Sequence, residues 1–205
     1  MSDATLTALR RLVDERFGGV LKRGKHPKNG KCCALECLSV LRGIPWTDDP
    51  EELRTFDLRN LNDIYVSDYI RAEYLLPVMA AYNGSLDWPA ERQAAVAAAL
   101  VVGVVNVLIA DLLGLPDKIR RVCREARNCR EAQASVSSGL HESVMHSALL
   151  AASMAASMTA SAAVSARLSA GAAAQSALTA RSVRERERIF IAACQVWLDA
   201  AKAGN

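Results

Sequence analysis

Between Ala132 and Ala180 the chain carries two charged residues, Glu142 and Arg167, in 49 positions, and alanine and serine fill more than half of the rest. Alanine is the best helix former, so the stretch reads as helix. With so little charge it would be adhesive as a lone helix in water, so it must be covered. Within it serine recurs every fourth residue, at Ser153, Ser157, Ser161, Ser165 and Ser169. A four-residue step drifts by about 40° on an α-helix, so these serines trace an i±4 ridge rather than a straight face. Ala152, Ala156, Ala160, Val164 and Leu168 form the ridge beside it. Ridges of small side chains let helix axes approach closely at a defined crossing angle. Each serine hydroxyl can bond the carbonyl four residues back. The spacing predicts a segment over 142–180 that is mainly helical and mostly buried, within one chain or between copies. Ala156, Ser157, Ala160 and Ser161 are expected at the closest helix–helix contact.

The rest of the chain also reads as helix, and no run shows sustained strand alternation. A first helix is expected from Ala4 to Phe17, with Leu6, Leu9, Val13 and Phe17 on one stripe and Gly18-Gly19 as its stop. A basic loop follows to Gly30, then a short helix over "KCCALECLSVLRG", closed by Gly43. Residues 44–66 read as irregular. Within them "DDPEE" has capping-box form: Asp49 as N-cap, Pro50 in the first helical position and Glu52 closing the box. Asp68–Tyr82 is expected as a helix kinked or divided at Pro77 and ended by Asn83-Gly84. Pro89 opens the most hydrophobic helix, to about Leu113, and Pro116 opens a basic one through about Arg130. Ser182 and Glu185 have capping-box spacing at the head of a last helix, whose apolar face carries Ile189, Ala193, Val196 and Trp197.

The fold class expected is therefore all-α, a helical bundle with long Ala/Ser-rich C-terminal helices. The division expected is an N-terminal helical domain over 1–131 and an Ala/Ser-rich helical region over 132–205. The length of 205 residues suits one domain or one domain with an extension. Aromatic residues make up only 5%, which goes with close packing of Ala, Leu and Val.

Net charge is +3, too mild to demand nucleic acid as a partner. Two basic runs stand out: Lys22, Arg23, Lys25, Lys28 and Lys31, and then Lys118 through Arg130. In the second, Arg120, Arg124 and Arg127 align along one side of a helix and could lie on phosphates. No aromatic residue is interleaved and Glu125 and Glu131 dilute the charge, so nucleic acid is possible but not the favoured partner. The first residues carry charge and no apolar run, so no signal peptide is expected. The six cysteines are then expected as free thiols in a reducing cytoplasm. The stretch 94–110 has Asn106 as its one polar residue and stands at the lower limit for spanning a bilayer. A buried core helix explains it equally well, and membrane is not favoured.

The strongest candidate chemistry is in "HPKNGKCCALEC". On a helix starting near Lys31, Cys32, Glu36 and Ser39 share one face, and Cys33, Cys37 and Leu41 a more apolar one. Cys32 would then stand at a helix N-terminus among lysines, where a thiol pKa falls and reactivity rises. Thiol catalysis would need a base, for which His26 is nearest in sequence; His141 and His146 are the other histidines. Cys33 and Cys37 are the weak candidates for a metal, at a spacing unlike the paired Cys-x-x-Cys knuckle. His141 and His146, five apart, miss the spacing of helical zinc pairs. No glycine-rich phosphate loop or serine-hydrolase elbow is present. No metal and no cofactor are expected.

The segment "GKCCALECLSVLRGIPWTDDPEELRTFDLRNLND" resembles a family of uncharacterised hypothetical proteins from bacteria and bacteriophages. That family shows a Cys-containing short helix, a glycine, a PWTDDP-like turn and a Leu-Asn-Asp, and many members end in alanine-rich helices. Trp46, Asp48, Asp49, Asn62 and Asp63 match the pattern. The resemblance lends no catalytic residue. It implies a phage or prophage setting, with accessory, assembly or host-interaction roles. The function expected is thus a non-enzymatic helical protein that associates with itself or with another protein through small-residue helices. The alternative is an enzyme with Cys32 as its nucleophile.

Overall fold

The computed structural model describes residues 3–28, 30–50, 56, 58–110, 117–137 and 182–203. All regular structure among them is helical, so the protein is all-α. The serine ladder with Ala156, Ser157, Ala160 and Ser161, both His141 and His146, and Glu52 of the acidic turn lie outside the described residues.

Helix α1 (Asp3–Phe17) buries Leu9 and Val13, with Leu6 and Phe17 packed at the margin of the core, as its stripe requires. Helix α2 (Ala34–Arg42) ends at Gly43, whose φ of 67° is the left-handed conformation that glycine adopts without strain. A single turn, α3 (Arg59–Asn62), leads to α4 (Asp68–Tyr82). Ser67 caps α4, its hydroxyl accepting from the Ile70 amide. Where a kink or break is expected at Pro77, α4 runs through it, losing only the donor that would face the Glu73 carbonyl.

Helix α5 (Ala90–Gly103) continues as a π segment, Val104–Ile109, in place of the single long α-helix expected. The wider turn is marked by the Ala110 amide reaching the Val105 carbonyl at 3.1 Å. Gly103 sits at the junction because α8 (Val183–Lys202) crosses there: a Cβ on it would stand 2.6 Å from Val196 Cγ1. Asn106, the one polar residue of the run, donates to the Ala126 carbonyl at 2.9 Å. That bond ties the π segment to the turn after α6 (Asp117–Glu125). By length and composition, Ala90–Leu108 could cross a membrane. Its Val96, Leu100, Val101, Val104 and Leu108 are buried among the other helices.

The basic run is two helices, not one. After α6 the chain turns and restarts as α7 (Cys129–Ser137). Asn128 caps it, accepting from the Glu131 amide at 3.0 Å, and the Glu131 carboxylate returns to the Arg127 amide at 2.8 Å and to Asn128 Nδ2 at 2.9 Å. Asn128-x-x-Glu131 is a capping-box spacing that the basic periodicity conceals.

Helix α8 starts as expected, with the Ser182 hydroxyl accepting from the Glu185 amide at 3.1 Å. Its Phe190, Ala193, Cys194 and Trp197 are buried against α4 and α5. Helix α8 and the N-terminal helices share one core. The few aromatic residues are concentrated there. Tyr82 packs on Phe56 and Trp197, with ring centroids 4.9 and 5.1 Å away, and its hydroxyl donates to the Trp197 carbonyl at 3.0 Å.

Candidate functional site

The cysteine helix begins later than its sequence suggests. Cys33, not a residue near Lys31, is the N-cap of α2, with extended φ and ψ of −84° and 173°. Its sulfur accepts from the Glu36 amide at 3.4 Å, and the Glu36 carboxylate accepts from the Cys33 amide at 2.8 Å. This is a capping box with cysteine in the place usually held by serine or threonine. Glu36 is fully buried, and its carboxylate does more than close the box. Oε1 accepts from the His26 amide at 2.6 Å, and Oε2 lies 3.1 Å from His26 Nδ1. Trp46 Nε1 donates to the His26 carbonyl at 2.7 Å, so His26 is held from both sides of its backbone. Ser39 donates to the Thr47 carbonyl at 2.9 Å, fixing the following turn to the same helix.

His26, Cys33 and Glu36 are thus brought together, and Cys32 is not presented with them. Its position just before the cap turns its side chain into the core, where it is fully buried. The adjacent Cys37 thiol, burial, and the neighbouring Cys33 and Glu36 all push the Cys32 thiol up. This reverses the activation expected from a basic helix start. With the cap at Cys33, Cys32 precedes the helix instead of standing in its first turn. Cys33 and Cys37 are core residues, as expected, and burial pushes the Cys33 thiol up as well. All six cysteines are free and buried. Among the described residues, no group of three or more His, Cys, Asp or Glu side chains is arranged to hold a metal ion.

Native-state labelling with a thiol reagent checks this inversion. Cys129, which is 8% exposed, is expected to react before Cys32, which has no exposed surface. Labelling of Cys32 ahead of Cys129, read by peptide mass spectrometry, would restore the nucleophile reading.

A second polar cluster, missed by the sequence reading, backs the first. Arg71 is 1% exposed, yet all five of its N–H groups are engaged. Nε donates to the Asn62 carbonyl at 2.8 Å, Nη1 to the Leu21 carbonyl and Asp68 Oδ1, and Nη2 to the Ile64 and Val66 carbonyls. Lys22 also bonds Asp68. Burial raises the Asp68 carboxyl, but Lys22 and Arg71 outweigh it and hold the group below the ordinary carboxylate range. Asn62 accepts from the Ala34 amide, and Asp63 accepts from the Gly24 amide at 2.9 Å. Asn62, Asp63 and Trp46 are therefore braces between loop 21–26, α2 and α4. Every polar atom of the Glu36 and Arg71 side chains is spent on the protein itself.

The basic candidates do not form one strip. Arg120 is on α6, 3.7 Å from Asp117, and Arg124 is engaged in its own contact. Arg127 lies in the turn between α6 and α7, because the Asn128 cap ends the helical register that would have aligned it with the other two.

No family model, curated protein or solved structure matches the chain.

A groove of about 510 Å³ lies between α5, the α6–α7 turn and α8. Its apolar surface comes from Ala98, Ala99, Val102, Val107, Val196 and Ala200. Cys129, buried beside it, donates its thiol toward the Ala98 carbonyl at 3.7 Å. Among the described residues, Arg127 and Asp199 are the charged members of its lining, with Asn128 also polar and Asp199 paired with Lys202 at 2.8 Å. Small side chains on two crossing helices leave a concave apolar track, the shape that a ridge of another helix fills.

Proposed function

We propose that this chain is a non-enzymatic helical protein of accessory or assembly type that self-associates through small-residue helices. The observation that carries the reading is the groove between α5 and α8, lined by alanine and valine and open to solvent. The serine-stepped stretch 151–169 supports it from the sequence, since its small ridges suit a tight helix contact. Cytoplasmic residence accords with six unpaired, buried thiols. A phage or prophage setting follows from the resemblance of the cysteine-helix segment and fits an assembly role. The Cys32 enzyme reading gains nothing from a thiol with no exposed surface.

Light scattering over a range of concentrations tests the proposal. The expected mass exceeds the 22.1 kDa of one chain. Ala99→Phe fills the groove from a half-buried position, so it should return the mass to one chain while leaving the melting temperature nearly unchanged. A wild-type mass of 22.1 kDa at every concentration sinks the self-association reading.

A further inference from the structure

We infer that the cavity between loop 21–26, the start of α4 and the start of α8 binds a phosphoryl group, as free phosphate or as a phosphate monoester. The cavity holds about 360 Å³, and Arg23, Tyr65, Ser67, Asp68 and Glu187 are among the residues that line it. Two arginines from distant parts of the chain meet at its exposed tyrosine. Arg23 Cζ stands 5.0 Å from the Tyr65 ring centroid and Arg186 Cζ 5.7 Å, and Tyr65 is 62% exposed. A guanidinium over a ring uses its face and keeps the N–H groups in its plane free to donate. Among the described residues, neither arginine has a carboxylate partner. The lysines beside Arg23 differ in this: Lys22 is paired with Asp68 and Lys25 with Asp48. Two cations are thus held close together with no acid between them, in forks that match phosphoryl oxygens.

The two acids of the lining have different parts. Asp68 is balanced by Lys22 and Arg71. Glu187 has no hydrogen bond or ion pair among the described residues. A free carboxylate there repels a fully ionised oxyanion, including the carboxylate of a small acid. It suits an anion that still carries a proton, which it accepts as a charge-assisted hydrogen bond. A phosphoryl group keeps such a proton up to a pKa of about 6, where sulfate has none. The Ser67 hydroxyl accepts from the Ile70 amide and retains its own proton to donate. Ser67 and Val183 also stand at the starts of α4 and α8, whose dipoles add potential of the same sign as the arginines.

Calorimetric titration of the full chain at about pH 6, with inorganic phosphate, methyl phosphate and sulfate as probes, tests the site. Both phosphoryl probes or one of them should bind saturably, and sulfate roughly tenfold more weakly or less still. Arg23→Ala and Arg186→Ala should each weaken phosphoryl binding roughly tenfold, the size of a lost hydrogen bond to a charged group. Arg186 is half-buried, so Arg186→Lys is measured beside it; it keeps the charge and should retain more binding than alanine. Glu187→Gln should bring sulfate close to phosphate, because an amide donates to an oxygen that has no proton. Tighter binding of methyl phosphate assigns the site to an ester, and tighter binding of inorganic phosphate assigns it to the free ion. Absence of saturable binding by either phosphoryl probe overturns the inference. Binding that survives both alanine variants puts the phosphate elsewhere on the chain and overturns it too. Equal affinity of the wild type for sulfate and phosphate removes the role of Glu187, and the phosphoryl assignment with it.

Discussion

Replacing Arg71 with methionine is expected to destabilise the protein by about 3–5 kcal/mol, the range for removing one partner of a buried, hydrogen-bonded charge pair. Methionine fills similar length without supplying donors. Four carbonyls, of Leu21, Asn62, Ile64 and Val66, would lose their partner together with Asp68. Urea denaturation gives the measurement, through the midpoint at constant slope. Arg71→Lys should fall between wild type and methionine, because an ammonium offers three donors where the guanidinium offers five. A methionine variant within about 1 kcal/mol of wild type would mean that water replaces the guanidinium, and the brace would be incidental. The same cluster gives stability a pH dependence. The folded Asp68 carboxyl titrates below the ordinary carboxylate range, so its contribution is fully present above that range. The contribution is lost as pH falls through the lower, folded value. Asp68→Asn should flatten that acid limb.

Glu36→Gln is expected to cost about 2–3 kcal/mol, within the range for hydrogen bonds to a charged group. The carboxylate receives the His26 and Cys33 amides on different oxygens. An amide of the same shape must turn its own N–H₂ toward one of those donors, leaving a buried clash of like dipoles. The loss should be local as well as global. Hydrogen exchange at the His26 and Cys33 amides should quicken, and trypsin should cut sooner at Lys25, Lys28 and Lys31. Global destabilisation without faster cleavage in that loop would show that Glu36 stabilises α2 alone.

The helices that can be read from sequence are those with ordinary signals. Ser182 and Glu185 mark α8, and Asn83-Gly84 marks the end of α4. The start of α2 is misplaced because its cap is a cysteine, which does not belong to the usual capping set. A shift of two to three residues then moves Cys32 from an exposed first turn to the core. The α6–α7 break is hidden for a related reason: arginines at regular spacing mask the Asn128–Glu131 box. The His26–Glu36 contact spans a loop, where no periodicity operates. Arg71 escapes notice because an arginine within a helix reads as solvent-facing until its five acceptors, drawn from four separate chain positions and one side chain, are seen together. The groove is anticipated only as composition. Alanines and valines announce close packing, but which helices leave a side uncovered depends on crossings such as Gly103 against Val196.

The bond from Tyr82 to the Trp197 carbonyl joins positions 115 residues apart. During synthesis, at roughly 5–20 residues per second, α4 leaves the ribosome on the order of 6–20 seconds before the helix it packs against. For that interval Phe56, Tyr82 and the apolar side of α5 have no lid, and the alanine-rich stretch emerges while they wait. The nascent chain therefore passes through a period of exposed aromatic and aliphatic surface. Its yield in a cell should depend on chaperones that bind such surface, more than its folded stability alone would suggest.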